Sequence, residues 1–143
     1  MTQQQVAPPT TPYGEPISIA AAKKIMAAAE VEATANKWGS IAIVDSGANL
    51  LMLHRLDNAQ LASVRLAEAK ARTAVEFRRP TKVLEDAVAG GGMGLRVLTF
   101  GACLADGGVP IIVGGRIIGA IGVSGAAGHE DAQVATAGAA AAQ

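Results

Sequence analysis

The sequence predicts an α+β fold in which helices flank a mainly antiparallel, five-stranded sheet. Two observations carry the prediction: short strand-like runs are joined by hairpin-like loops, and segments of helical periodicity stand before, between and after them. Strands joined by tight loops pair antiparallel, whereas parallel pairing needs a long crossover connection. The 143 residues suffice for one domain with a sizeable core and leave no room for a second.

The amino-terminal part of the chain predicts an arm, a helix and a hairpin. Residues 1–16 are polar, contain prolines and show no period, so we expect a flexible arm followed by a single domain over residues 17–143. Apolar residues then recur at helical spacing, with Ser18 as the N-cap, and predict a helix over residues 18–37. The two strands of a hairpin are predicted by alternating runs at residues 40–45 and 50–56.

The middle of the chain predicts two more helices on either side of a proline. The clearest helical pattern covers residues 60–79, contains a Glu68–Arg72 pair at i,i+4, and ends at Pro80. A brief helix capped by Thr81 is predicted over residues 82–88. The glycine-rich segment that follows it, residues 90–94, is predicted as a loop.

The carboxy-terminal part predicts three strands and a last helix. Strands are expected at residues 96–100, 109–113 and 116–124, the last two joined by a two-glycine hairpin loop. Gly119 and Gly122 inside the final strand indicate that another backbone or a ligand approaches closely there. The tail from Gly128 is predicted as a helix with acidic residues in its first turn.

Composition excludes several classes of function. Lysine plus arginine balance aspartate plus glutamate, the pI is near 6.7 and aromatics make up 3%, so neither a basic field nor a base-stacking platform for nucleic acid is expected. The longest uncharged run is shorter than a membrane span, and the start lacks the pattern of a secretory signal, so we expect a cytoplasmic protein. Cys103 is the only cysteine and is predicted to be a small buried hydrophobe.

Alanine and glycine make up about a third of the chain. Side chains this small let helices lie close on a sheet, but each helix then buries little apolar area, at roughly 25 cal/mol per Å². Self-association would supply further burial, and we therefore expect a homo-oligomer.

The familiar catalytic motifs are missing: there is no CxxC, HExxH, GxSxG or phosphate-binding glycine loop. Lys70 lies at the edge of an apolar helix face, where it is either an anion-binding or pKa-shifted lysine or one that extends its amine to water. Arg55 and Asp57 end the second strand, where side chains commonly line pockets. Asp57 or Asn58 could equally cap the next helix, and capping is the role that we favour.

Both histidines have alternative interpretations. His54 shares a strand face with Leu50, Met52 and Leu56, so it is either a ligand in an apolar pocket or, as we favour, a core histidine with a partner. His129 precedes Glu130 and Asp131 at the start of the last helix, where the three could hold a metal or move a proton. Adjacent helical residues point in different directions, so a solvated helix start is favoured.

Three stretches together are similar to a known family. They are residues 44–50 (VDSGANL) leading to Arg55-Leu56-Asp57, residues 70–74 (KARTA) with Phe77 and 79–81 (RPT), and residues 107–111 (GGVPI) and 119–125 (GAIGVSG) leading to Asp131. Over residues 17–138 the chain resembles the HbpS/GlcG family of haem-binding, haem-degrading-type proteins and the carboxy-terminal domain of PduO-type proteins.

The resemblance implies a profilin-like fold, a homo-oligomer, and haem or an iron-related ligand as cofactor. It also implies that a common pocket is surrounded by the matched residues: Arg55, Asp57, Lys70, Thr73, Phe77, Pro110, Ser124, Gly125 and Asp131. Haem ligation in the family is assigned to histidines. The predicted first helix has none, so His54 and His129 are the candidates here.

Two functional hypotheses follow. The first is a homo-oligomeric binding protein for haem or a related tetrapyrrole, with or without haem-degrading activity, in which His129 or His54 is the axial ligand and Lys70 or Arg55 pairs a propionate. The second is an enzyme for a small carboxylate or hydroxy acid, in which Lys70 and Arg55 hold the carboxylate while His129 or Asp131 acts as acid or base. A purely structural assembly module is a third possibility.

Overall fold

The computed structural model describes residues 9–36 and 39–143. Its α-helices are α1 Ile19–Asn36, α2 Ala62–Phe77, α3 Thr81–Ala89 and α4 Gly128–Ala140. Its strands are β1 Ser40–Asp45, β2 Leu50–Arg55, β3 Gly108–Val113 and β4 Arg116–Ser124. These elements lie within a few residues of their predicted positions, and residue 37, the predicted end of the first helix, lies outside the described residues.

The strands form one sheet in the order β2-β1-β4-β3, and every neighbouring pair is antiparallel. The α+β class and the antiparallel pairing are therefore confirmed. The two hairpins β1–β2 and β3–β4 meet along the β1–β4 pair, where Ser40 lies opposite Ser124 and Asp45 opposite Gly119. A bulge in β4 at Ile118 reverses the side-chain alternation, because Ile111 pairs with Gly119 while Ile112 pairs with Ile117.

The prediction of a fifth strand at residues 96–100 is wrong. Within the described residues the sheet has four strands, and most of this segment belongs to a 3-10 helix, Gly92–Thr99, that follows α3. Only Val97 of that helix is buried, and the Thr99 hydroxyl donates a hydrogen bond to the Arg96 carbonyl three residues back. A short apolar run can adopt either structure, and here local bonds and packing on α3 decide against the strand.

The sheet is covered on both faces. On one face α1 and α4 pack over Ile41, Ile43, Ile121 and Val123. On the other face α2 lies against Ala42, Val44, Ile117 and Ala120 through its own alanines. The close approach predicted at Gly122 is confirmed, since a methyl group there would overlap backbone atoms of Ala67 and Ala71 in α2. Gly119 likewise lies against the backbone of β1 and the side chain of Ile17.

Of the three predicted helix N-caps, only the one of α1 is confirmed. The backbone N–H of Ala21 donates to Ser18 Oγ over 3.1 Å, which confirms the first N-cap. Thr81 does not cap α3, whose N-cap is Pro80; its hydroxyl accepts a hydrogen bond from the N–H of Gly108 instead. Neither Asp57 nor Asn58 caps α2, because that helix begins after Leu61 without a side-chain cap.

The second half of the predicted arm lies on the domain. Gly14 donates its N–H to the Ile117 carbonyl and Ile117 donates to the Pro12 carbonyl, while the Tyr13 hydroxyl donates to the Val75 carbonyl over 2.7 Å. The guanidinium of Arg78 stacks on the Tyr13 ring. Residues 1–8, the other half of the arm, lie outside the described residues.

Candidate functional site

A buried ion pair joins α2 to α4 at the carboxyl end of β4. Lys70 donates from Nζ to Asp131 Oδ2 over 3.1 Å and to the Val123 carbonyl over 2.9 Å. The two side chains are 4% and 5% exposed. Asp131 Oδ1 accepts the N–H of Ala126 over 2.9 Å, so both carboxylate oxygens have donors. Neither role considered for Lys70, a solvated amine or an anion-binding group, matches this environment.

Glycine makes room for the pair. Gly107 adopts a φ of +130°, and a methyl group on it would lie 2.9 Å from Lys70 Nζ and 3.1 Å from Asp131 Cβ. A side chain at this position would therefore push the ammonium group away from its partners. The need for space beside the ion pair thus explains the glycine at position 107 of the 107–111 motif.

Two buried carboxyl groups near this point have raised pKa values. Burial raises the pKa of Asp131 above its ordinary 3.8, with the Lys70 ammonium and the Ala126 N–H opposing the rise. Burial also raises the pKa of Asp106, against a hydrogen bond from the Gly107 N–H; nearby Glu85 raises it further. Sequence reasoning did not single out Asp106, because an aspartate beside two glycines is typical of an exposed turn.

A cavity of about 50 Å³ opens beside Asp131, between α1 and α4. Its apolar walls are Ala33, Ile41, Leu56, Val123 and Val134. Asp131, Glu130 and Gln133 supply its polar groups, and the Gln133 side-chain amide donates to Glu32 Oε1 over 2.7 Å. We call this the α1–α4 cavity. On this measure a water molecule needs roughly 10–15 Å³, so the cavity holds about four small groups.

His54 lies on the surface, and the favoured interpretation as a core histidine is wrong. Its side chain is 46% exposed, because β2 is an edge strand whose face α1 covers only partly. The Nδ1 atom of His54 contacts the Glu30 carboxylate of α1. Sequence reasoning missed Glu30, since no local pattern links two residues on different elements.

The other predicted site residues on the surface are not brought together. His129 is exposed at the start of α4, while Glu130 beside it accepts the Ala127 N–H over 3.2 Å. Arg55 and Asp57 are also exposed. Ser40 of β1 pairs with Arg55 on one side and with Ser124 of β4 on the other. Arg55 therefore lies two strand spacings, roughly 10 Å, from β4.

The remaining matched residues form walls and links. Thr73 is buried, and its hydroxyl accepts the N–H of Cys103, a partly buried residue, over 2.9 Å. Phe77 stacks on Phe100 with ring centroids 5.9 Å apart. Buried strand positions are occupied by Pro110 in β3 and Ser124 in β4, and the backbone of Gly125 donates to Asp131. These residues support the ion pair and the sheet and do not surround one open pocket.

This arrangement does not favour the small-carboxylate enzyme. The ammonium of Lys70 is already neutralised by Asp131, so it is not available to a substrate carboxylate. Arg55 and the exposed His129 lie elsewhere, and Asp131 is enclosed. Among residues 9–36 and 39–143, no three His, Cys, Asp or Glu side chains converge as metal ligands, so the histidines and acids do not form a metal cluster within one chain.

Comparison with known proteins decides the family. The model of the family described as "Haem degrading protein HbpS-like" matches residues 17–140. The chain is 44% identical to protein GlcG of Escherichia coli K12 over 104 residues, which are 72% of this chain and 77% of GlcG. The chain belongs to the HbpS-like family. The resemblance found in the sequence motifs is thereby confirmed.

Solved structures of HbpS-like proteins share the fold. A double mutant of HbpS from Streptomyces reticuli superposes with a TM-score of 0.80 at 31% identity, covering 98% of this chain and 94% of that one. A structure described as a PduOC:heme complex gives a TM-score of 0.78 at 29% identity, covering 88% and 94%. In the described part of this HbpS-like chain, no helix is both long and apolar enough to traverse a bilayer.

Proposed function

We propose that this HbpS-like protein is a homo-oligomer that binds haem or a related tetrapyrrole, with His54 as an axial ligand. The observation that carries the proposal is the contact between His54 Nδ1 and the Glu30 carboxylate on an exposed face. A metal-bound histidine usually gives its second ring nitrogen to a carboxylate or carbonyl, which sets the tautomer and orientation. The contact uses Nδ1, so Nε2 is the atom available to iron.

The donor residues fit haem, but among residues 9–36 and 39–143 neither the α1–α4 cavity nor a cleft of about 220 Å³ beside Pro9 and residues 76–79 is large enough to enclose it. Pockets for molecules of this class measure roughly 300–1,000 Å³, far more than the 50 Å³ of the α1–α4 cavity. A porphyrin held by His54 would therefore lie against the exposed surface of β2 and α1. When bound, haem would supply an iron centre for ligand binding and electron transfer.

Exposed apolar residues of the 3-10 helix support self-association. Met93 is 63% and Leu98 60% exposed, with Leu95 and Phe100 about half exposed beside them in the chain. Side chains of this size on one short segment are typical of an interface. The small-residue helices α1 and α4 bury little area each, which makes further burial between copies favourable.

Arg55 is the residue proposed to pair a haem propionate. It is exposed and is the last residue of edge strand β2; its side chain starts on the face opposite that of His54, so it would reach the propionate around the open edge of the sheet. Guanidinium groups bind carboxylates with two parallel hydrogen bonds. Lys70 no longer qualifies, because Asp131 and the Val123 carbonyl already use its ammonium group. His129, which is exposed at the start of α4, is the competing axial ligand.

A haemin titration followed by visible absorbance tests the proposal. We expect a saturable Soret shift in the wild-type protein, its loss in His54→Ala, and little change in His129→Ala. Glu30→Gln should weaken binding about tenfold or more by releasing the imidazole, whereas Glu76→Gln, on an exposed position of α2, should not. Loss in His129→Ala alone would assign the ligand to α4. A weak, non-saturating response shared by all variants would overturn the proposal.

Following the Soret band after a reductant is added shows whether bound haem is also degraded.

A further inference from the structure

We propose that the α1–α4 cavity is a binding site for a small primary alkylammonium ion, separate from any haem site. The cavity has apolar walls, acidic groups at its floor and rim, and room for about four small groups. No step of the proposed haem binding uses it, since its residues do not include either histidine.

The walls are suited to a short hydrocarbon chain. Four lining side chains are at most 6% exposed: Ala33 of α1, Ile41 of β1, Val123 of β4 and Val134 of α4. Burying each methylene of a ligand against such surface is favourable by the hydrophobic effect. The limited volume restricts the ligand to a chain of about three carbons plus a polar head.

The charges select a cation for the head. Asp131 and Glu130 line the cavity, and Glu32 is held at its edge by the Gln133 amide. The neighbouring cation, Lys70, is occupied by Asp131 and does not line the cavity. Among residues 9–36 and 39–143, no lysine or arginine lines it, so the charge that this part of the chain presents to a ligand is negative.

The Asp131 carboxylate can accept another donor. Three protein groups already donate to the Asp131 oxygens, Lys70 to Oδ2, Ala126 to Oδ1 and the backbone of Gly125, while a carboxylate offers about four acceptor positions. Burial raises the pKa of Asp131, because the loss of hydration outweighs these donors. A second ammonium group arriving from the cavity side would occupy the remaining acceptor position, with Glu130 as the second acceptor.

The test compares three three-carbon ligands with different head groups, at matched ionic strength: n-propylammonium chloride, 1-propanol and sodium propionate. Thermal unfolding and saturation-transfer NMR suit the millimolar affinity that so small a ligand allows. We expect the ammonium ion to raise the unfolding temperature and to bind at least about five times more tightly than the alcohol. Propionate should not bind. Equal binding of the alcohol and the ammonium ion, or no binding of either, would overturn the proposal.

Variants then locate the site. Glu130→Gln and Gln133→Lys each make the rim more positive by one charge, and each should weaken propylammonium binding about five-fold or more. Gln60→Lys and Glu76→Gln make the same charge changes on exposed positions outside the cavity and should leave binding unchanged. Ala33→Leu should abolish binding by filling the space; if it fails to fold, the two rim variants still decide. Unchanged binding in both rim variants would place the ligand elsewhere and refute the assignment.

Discussion

At the scale of single residues, Lys70 and Asp131 each compensate the other's loss of hydration. The pair is about 95% buried, a depth at which an isolated charge would be strongly unfavourable. Removing either partner leaves the other charge buried, while removing both does not. Lys70→Met or Asp131→Asn alone should therefore lower the free energy of unfolding by about 3–5 kcal/mol.

The double variant separates this explanation from simple packing loss. Lys70→Met/Asp131→Asn keeps the acceptor for the Ala126 N–H and leaves no unpaired charge. Urea unfolding measures the free energy of unfolding of each variant. We expect the loss in the double variant to be smaller than the sum of the two single losses by at least about 1 kcal/mol. Additive effects would mean that the two charges do not stabilise each other.

Asp106 gives a stability term that depends on pH. Because its pKa is raised in the folded protein, the folded state binds the proton more tightly than the unfolded chain does. The contribution of this group is fully present below pH 3.8 and is lost as the pH rises through the folded-state pKa. Besides Glu85, which raises that pKa, the charged groups acting on it are Lys82 and Lys70, which lower it.

The Asp106→Asn variant tests that sign. Asparagine keeps an oxygen for the Gly107 N–H but never ionises, so the variant should equal the wild type below about pH 4 and become more stable than it toward pH 7. Unfolding temperatures of both proteins across that range provide the measurement. A difference that stays constant or shrinks with rising pH would contradict the assigned burial.

At the scale of elements, the spacing between α2 and the sheet depends on Gly122. A methyl group on this residue would lie 2.5 Å from the Ala71 nitrogen and overlap the Ala67 carbonyl, so Gly122→Ala must displace the helix. We expect a loss of about 3 kcal/mol in the free energy of unfolding. Gly90→Ala is the control: its φ of −72° suits alanine, and a methyl group there would make ordinary van der Waals contacts at 3.5 Å or more, so its effect should stay within about 0.5 kcal/mol. Similar losses in both would refute the packing argument.

The 3-10 helix is the element where local pattern and tertiary structure disagree most. Residues 96–99 of it have the composition of a strand and residues 92–94 that of a glycine-rich loop, yet both form one 3-10 helix that does not extend the sheet beside β3. The ring of Phe100, which directly follows it, stacks on Phe77 at the end of α2 and attaches the segment there. The sequence alone contains no local signal for that contact, because the two rings are far apart along the chain.

At the scale of the whole molecule, exposed Met93 and Leu98 are the proposed contact between copies. Replacing both with glutamate should shift the protein to a smaller species in light-scattering measurements, because charge is excluded from the core of such an interface. The monomer core should be unaffected, since both side chains are exposed. Leu61→Glu, at an isolated exposed leucine before α2, should leave the assembly unchanged. An unaltered mass for the double variant would exclude this surface.

The sequence by itself determined the antiparallel α+β class, the four helices and four of the strands, and the family. Hairpin loops, helical periodicity and close-approach glycines act locally, so residues such as Ser18 and Gly122 could be interpreted without coordinates. Only the tertiary structure decided that Lys70 is neutralised by Asp131, that His54 is exposed against Glu30, and that residues 96–100 do not form a strand. The first two outcomes depend on contacts between residues 61 and 24 positions apart, and the third depends on the Phe77–Phe100 stack as well as on local bonds. No local pattern along the chain encodes such distant contacts.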